Sequence, residues 1–84
     1  MPSVPPFDPT SGEPDYLWRR VADHIAARIE AGELAPGARL PRELEVADEY
    51  GVSHNTVRRA IAELRRRGLV RTLPNLGTFV RATG

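Results

Sequence analysis

A chain of 84 residues without cysteine has room for one domain with a thin core, and neither a disulfide framework nor a Cys-based zinc site can brace it. No apolar run reaches the roughly 18 residues a bilayer span needs. The start Met1-Pro2-Ser3-Val4-Pro5-Pro6 lacks the basic and apolar regions of a secretion signal, so the expected location is cytoplasmic, with no membrane partner.

The net charge of +1 conceals a division. Residues 1–53 hold five arginines against ten Asp and Glu, a net −5, whereas residues 54–84 hold seven arginines against Glu63 alone, a net +6. A basic segment of this kind attracts polyanions by Coulomb steering and by counterion release, which makes nucleic acid the first partner to test. The plainer reading is a solvated, arginine-rich helix face.

In chain order, Pro2, Pro5, Pro6, Pro9 and Pro14 remove amide donors, and residues 1–14 read as a disordered or extended tail. Residues 15–84 read as the folded domain. Leu17, Val21, Ile25 and Ile29 recur every four residues, with Trp18, Ala22 and Ala26 widening the stripe. This predicts a helix from Asp15, its N-cap, to Ala31, ended by Gly32. Pro36-Gly37 marks a turn. A short second helix, Pro41 to Tyr50, follows with Pro41 in its first turn and Leu44, Val46, Ala47 and Tyr50 facing inward.

Gly51 ends that helix and Ser53 is placed to cap a third. At about 100° per residue, Val57, Ala60, Ile61 and Leu64 share one face of the third helix, opposite Asn55, Arg59, Ala62 and Arg66, with Arg58 on the flank. Gly68 stops it. Leu69 to Thr72 and Thr78 to Arg81 read as two strands of a hairpin joined by Leu73 to Gly77. Trp18 and Phe79 are expected in the core. The fold class is α+β, three helices plus a small antiparallel hairpin, a winged helix-turn-helix.

Function is concentrated in the ordered set Ala47, Gly51, Val52, Ser53, Val57 and Ile61, where each residue meets one demand of two helices crossing at a tight turn. Such a unit projects the start of its second helix outward, where free amides and short polar side chains can meet phosphates and base edges. Here those side chains are Ser53, His54, Asn55 and Thr56. Asn55 points away from the core and can pair bidentately with adenine. Arg58 and Arg59 face outward beside them, while Arg65, Arg66 and Arg67 equally suit a last helical turn, where cations complement the dipole.

His54 and His24 stand far apart in sequence without a carboxylate or cysteine cluster, so no metal and no cofactor are expected. The chain offers no nucleophile with a base and no glycine-rich phosphate loop, so it is not expected to be an enzyme.

From Tyr16 to Arg81 the chain resembles the N-terminal winged-helix domain of the GntR family of bacterial transcription regulators. The resemblance rests on Gly32-Glu33-Leu34, Pro36-Gly37, Leu40-Pro41 with Glu43, Val52-Ser53, Thr56-Val57-Arg58, Ala60, Leu64, Gly68-Leu69-Val70 and Gly77-Thr78-Phe79-Val80. It implies binding to double-stranded operator DNA to regulate transcription, as a repressor, with the third helix in the major groove and the wing at the adjacent minor groove. It further implies that Arg58 reaches a base or phosphate, that residues 53–56 make the helix-start contacts, and that Gly77 lies near the wing tip.

Three departures from the family pattern stand out. Arg42 replaces a capping serine, which costs about 1 kcal/mol and offers a phosphate contact instead. Leu44 replaces an arginine, and Pro74-Asn75 replaces glutamine and glycine. The expected DNA-binding residues are therefore Arg42, Ser53, His54, Asn55, Thr56, Arg58, Arg59, Asn75 and Gly77.

The alternative is a protein interaction module whose basic face meets an acidic partner. Family members carry a C-terminal ligand-binding and dimerisation domain, so the chain reads as an excised domain or a minimal regulator. The expected state is a monomer alone, paired on DNA or through such a further domain.

Overall fold

The computed structural model describes residues 4–10, 12 and 16–82. Among them run α1 (Leu17–Glu30), α2 (Glu43–Tyr50), α3 (His54–Arg66), β1 (Val70–Leu73) and β2 (Gly77–Val80). This is the winged helix-turn-helix order. α1 buries Val21, Ala22, Ile25 and Ala26, and α3 buries Val57, Ala60, Ile61 and Leu64. These two helices pack most extensively on each other. Ala22 and Ala60 are fully buried, and residues this small let packed helices approach closely.

Tyr16 rather than Asp15 precedes α1 as its N-cap and makes no side-chain cap bond. Asp15 lies outside the described residues. α2 begins two residues later than its proline suggested, because backbone pairing holds the approach extended. Leu40 N–H donates to Thr78 O (2.8 Å), Arg39 bridges Phe79, and Arg42 keeps an extended backbone (φ −60, ψ 152) as an N-cap with no side-chain bond.

Leu44 is 67% exposed, not inward. It lies roughly 115° around the helix from the centre of the stripe formed by Val46, Ala47 and Tyr50. The buried leucine at this corner is Leu40. Trp18 and Phe79 are likewise only partly buried, each at the rim of the core rather than in it.

α3 ends in a pair of backbone bonds, Gly68 N–H to Arg65 O (3.0 Å) and Leu69 N–H to Leu64 O (3.0 Å), the Schellman arrangement. The Leu69 amide is thereby committed, and β1 starts at Val70. The hairpin pairs Val70 with Val80 and Leu73 with Gly77, in the register that the expected strands imply, with each strand's bounds lying one residue nearer the turn. Pro74 and Asn75 (φ 64) occupy the middle of its turn, closed by Leu76 N–H to Leu73 O (3.0 Å).

Gly37 N–H to Val80 O (2.9 Å) and Val80 N–H to Ala38 O (2.8 Å) add the segment before α2 to the free side of β2. The wing therefore has a third backbone partner.

Residues 4–10 lie against α1 and α2. Phe7 packs on the core and sits 5.6 Å from His24 and 5.1 Å from Tyr50, ring to ring. His24 Nε2 donates to Pro5 O (2.6 Å), and its Nδ1 meets Tyr50 OH at 2.8 Å. Arg28 ties α1 to α2 through Glu49 (3.3 Å) and Tyr50 OH (3.2 Å). Burial pushes the Tyr50 hydroxyl above its usual value, partly offset by the Arg28 bond. Arg20 donates to Asp8 O (2.7 Å) on the same side.

Candidate nucleic-acid interface

Gly51 adopts the left-handed conformation (φ 67, ψ 35) that a side chain would strain, and it reverses the chain between α2 and α3. Val52 packs partly against the core behind this turn. Ser53 then caps α3, its Oγ accepting from Thr56 N–H at 3.1 Å and lying 2.9 Å from Thr56 Oγ1. The two hydroxyls hold each other at the helix start. The first amides of a helix have no intrahelical partner, so this end presents donors outward.

His54, the first residue of α3, bonds through Nε2 to Glu43 Oε1 (2.9 Å) at the first residue of α2. This contact fixes the two helix starts side by side. His54, Asn55, Arg58 and Arg59 together border a shallow depression of about 530 Å3 along α3. Arg42, His54 and Gly77 border a second cleft, of about 580 Å3, between the start of α2 and the wing. His54 is common to both. Asn75 stands exposed on the wing turn.

The arginines divide by what holds them. Arg58 makes no ion pair or hydrogen bond among the described residues, and Arg59 makes a ring contact only, its Cζ 4.9 Å from the Trp18 ring. Arg65 donates to Thr72 Oγ1 (2.8 Å), which lies 3.0 Å from Thr78 Oγ1, so α3 is joined to both wing strands. Arg66 grips Glu63 through two bonds (2.8 and 2.6 Å), and Arg67 bonds Glu63 (2.8 Å) and Asp23 (2.7 Å). Hydrogen bonds from Arg66 and then Arg67 hold the Glu63 carboxyl at about 2, well below its usual 4.5.

Two contributors went unread in the sequence. Arg39 crosses Gly77 so closely that a Cβ there would lie 2.9 Å from Arg39 Nε, and Gly77 itself has φ +121. No local pattern announces this, because the position of Arg39 follows from a bridge to a residue forty positions away. Trp18 is the other. Helical periodicity assigns it to the core stripe, yet its ring carries two guanidinium groups.

Among the described residues, no group of three or more His, Asp or Glu is placed to hold a metal ion, and no helix is long and apolar enough to cross a membrane.

The family model described as bacterial regulatory proteins, gntR family, matches residues 17–80. The chain belongs to the GntR family. Over 65 residues, 77% of this chain, it is 40% identical to the mannosyl-D-glycerate transport/metabolism system repressor MngR of Escherichia coli, covering 27% of MngR. The chain thus spans about a quarter of the length of that relative.

Among solved structures, YtrA from Sulfolobus acidocaldarius, a GntR-family transcription factor, matches with a TM-score of 0.80 and 30% identity over 98% of this chain and 84% of that one. The DNA-binding domain of AraR in complex with operator ORR3 matches with a TM-score of 0.71 and 35% identity, over 75% of this chain and 76% of that one. The GntR fold and its winged helix are therefore common to this chain and to a domain crystallised on DNA.

Proposed function

We propose that this GntR domain binds double-stranded operator DNA in the cytoplasm and represses transcription, with α3 in the major groove and the wing at the adjacent minor groove. The observation that carries the reading is the capped start of α3, which presents Asn55 and Arg58 outward with no carboxylate bound to either. AraR, whose domain has this fold, is seen with its operator, and MngR is named a repressor.

In this reading Asn55 and Arg58 meet base edges. Arg42, Arg59, His54, Ser53 and Thr56 meet the backbone, and Asn75 and Gly77 approach the minor groove. The domain is a monomer in solution that pairs on a two-fold operator.

Titration of duplex DNA over a range of salt tests it. With Arg42 and Arg59 each on a phosphate, log affinity against log salt falls with a slope of about −2 or steeper. A flat dependence rejects the reading. Sedimentation without DNA tests the monomer, and a stable dimer at micromolar concentration rejects that part.

A further inference from the structure

One cluster of aromatic rings and arginines joins the helix-turn-helix to α1. At the start of α1, Arg19 Cζ lies 5.7 Å from the Tyr16 ring and 5.7 Å from the Trp18 ring, while Arg59 of α3 lies 4.9 Å from the same indole. Arg19, Arg59 and Tyr16 are exposed, and Trp18 is partly buried. Two cations thus share one indole on the surface. Neither has a carboxylate within 4 Å among the described residues.

That arrangement is not the one local electrostatics favours. Asp23 lies one helical turn beyond Arg19, where an i,i+4 ion pair would form, but Arg67 takes its carboxylate at 2.7 Å. The carboxylate is spent on α3, and Arg19 is left on the aromatic rings. A guanidinium held over an aromatic ring by cation–π attraction spends no N–H donor on a carboxylate, and its donors keep the fork geometry that matches phosphate oxygens. The ring contact also restrains a long side chain in advance, which lowers the ordering cost of a later contact.

Arg59 borders the depression that Asn55 and Arg58 line. Arg59 therefore links the depression on α3 to Arg19 on α1 through the Trp18 ring they share.

We propose that Trp18 holds Arg19 and Arg59 as a clamp for backbone phosphates flanking the groove that α3 enters. The proposal rests on the DNA-binding reading and extends it to helix α1, with the phosphodiester as ligand. Phosphate carries no sequence information, so the clamp adds affinity and register, not specificity.

The test is a set of salt titrations on a preferred and a scrambled duplex, with the whole chain and the variants Arg19→Gln, Trp18→Leu and Trp18→Tyr. For Arg19→Gln the slope becomes shallower by about 0.9, so the wild-type advantage shrinks about threefold between roughly 50 and 200 mM salt. The loss is equal on both duplexes. Trp18→Leu, which removes no charge, makes the slope shallower in the same sense, and Trp18→Tyr restores it because an aromatic face remains.

If the stack only joined α1 to α3, Trp18→Leu would lower the melting temperature and leave the slope alone. A wild-type slope for Arg19→Gln, or for a folded Trp18→Leu, overturns the clamp. Should Trp18→Leu fail to fold, the exposed Arg19→Gln change decides the matter by itself. A wild-type slope near zero rejects DNA binding as a whole, whereas a steep wild-type slope that Arg19→Gln leaves unchanged rejects the clamp alone.

Discussion

The first two turns of α3 and its last turn are both rich in arginine and hold it in opposite states. Arg58 and Arg59 carry no carboxylate, whereas Arg66 and Arg67 close on Glu63 at 2.6 to 2.8 Å and Arg67 reaches Asp23 besides. Glu63 is the one acidic residue of a +6 segment, and it is spent entirely at the far end of the helix. The comparison teaches that a count of cations does not locate an interface. What matters is which cations the fold has already neutralised.

The contrast breaks most visibly through binding. Arg58→Ala or Asn55→Ala is expected to cost about 1 to 3 kcal/mol on the preferred duplex and to narrow its advantage over scrambled DNA, with melting unchanged. Paired binding curves at one fixed salt concentration check it, and an unchanged affinity ratio for both variants means that this end of α3 does not read sequence.

Ser53→Ala sharpens the structural side of the same end. Loss of the bond to Thr56 N–H should lower stability by about 1 kcal/mol, measured by denaturant unfolding.

At the other end, Glu63→Gln tests the clasp through pH. The carboxyl is held at about 2 in the folded chain, below its usual 4.5. A depressed value of this kind contributes stability that is fully present above 4.5 and lost as pH falls toward about 2. Thermal melts of the two proteins should therefore differ at pH 7 and converge near pH 2. A gap that persists in acid means that the ion pairs are not its source.

The smallest effect belongs to Arg66→Ala. Its side chain is 72% exposed, and solvent screens most of the energy of an exposed pair. The melting temperature should barely change, and DNA affinity should fall less than for Arg58→Ala.

Much of the fold was legible because the local signals agree. Val57, Ala60, Ile61 and Leu64 repeat at helical spacing and all four are buried, and Ser53 caps the helix it precedes. Misreadings occur where a distant partner decides. Pro41 suits a first helical turn, but pairing of Leu40 with Thr78 delays α2 to Glu43. Leu69 looks like a strand residue, but its amide closes α3. Leu44 has the side chain of a core residue and faces solvent, because Leu40 fills that corner.

In the candidate interface, the outward placement of Asn55, Arg58 and Arg59 follows from the helical wheel. The roles of Trp18 and Arg39 do not, since each depends on a side chain brought from another element.

The bonds that sew residues 37–40 to β2 have a consequence for how such a domain can diversify. Because Gly37, Ala38 and Leu40 grip Thr78 and Val80, the pitch of the hairpin is set at its root, from outside the hairpin, and its tip inherits that pitch. Pro74, Asn75 and Leu76 form no part of the seam. Loop grafts at the tip, longer or shorter, should leave the root bonds in place, so new tip chemistry can be exchanged like a bit in a fixed chuck while the grip of α3 on its groove stays the same.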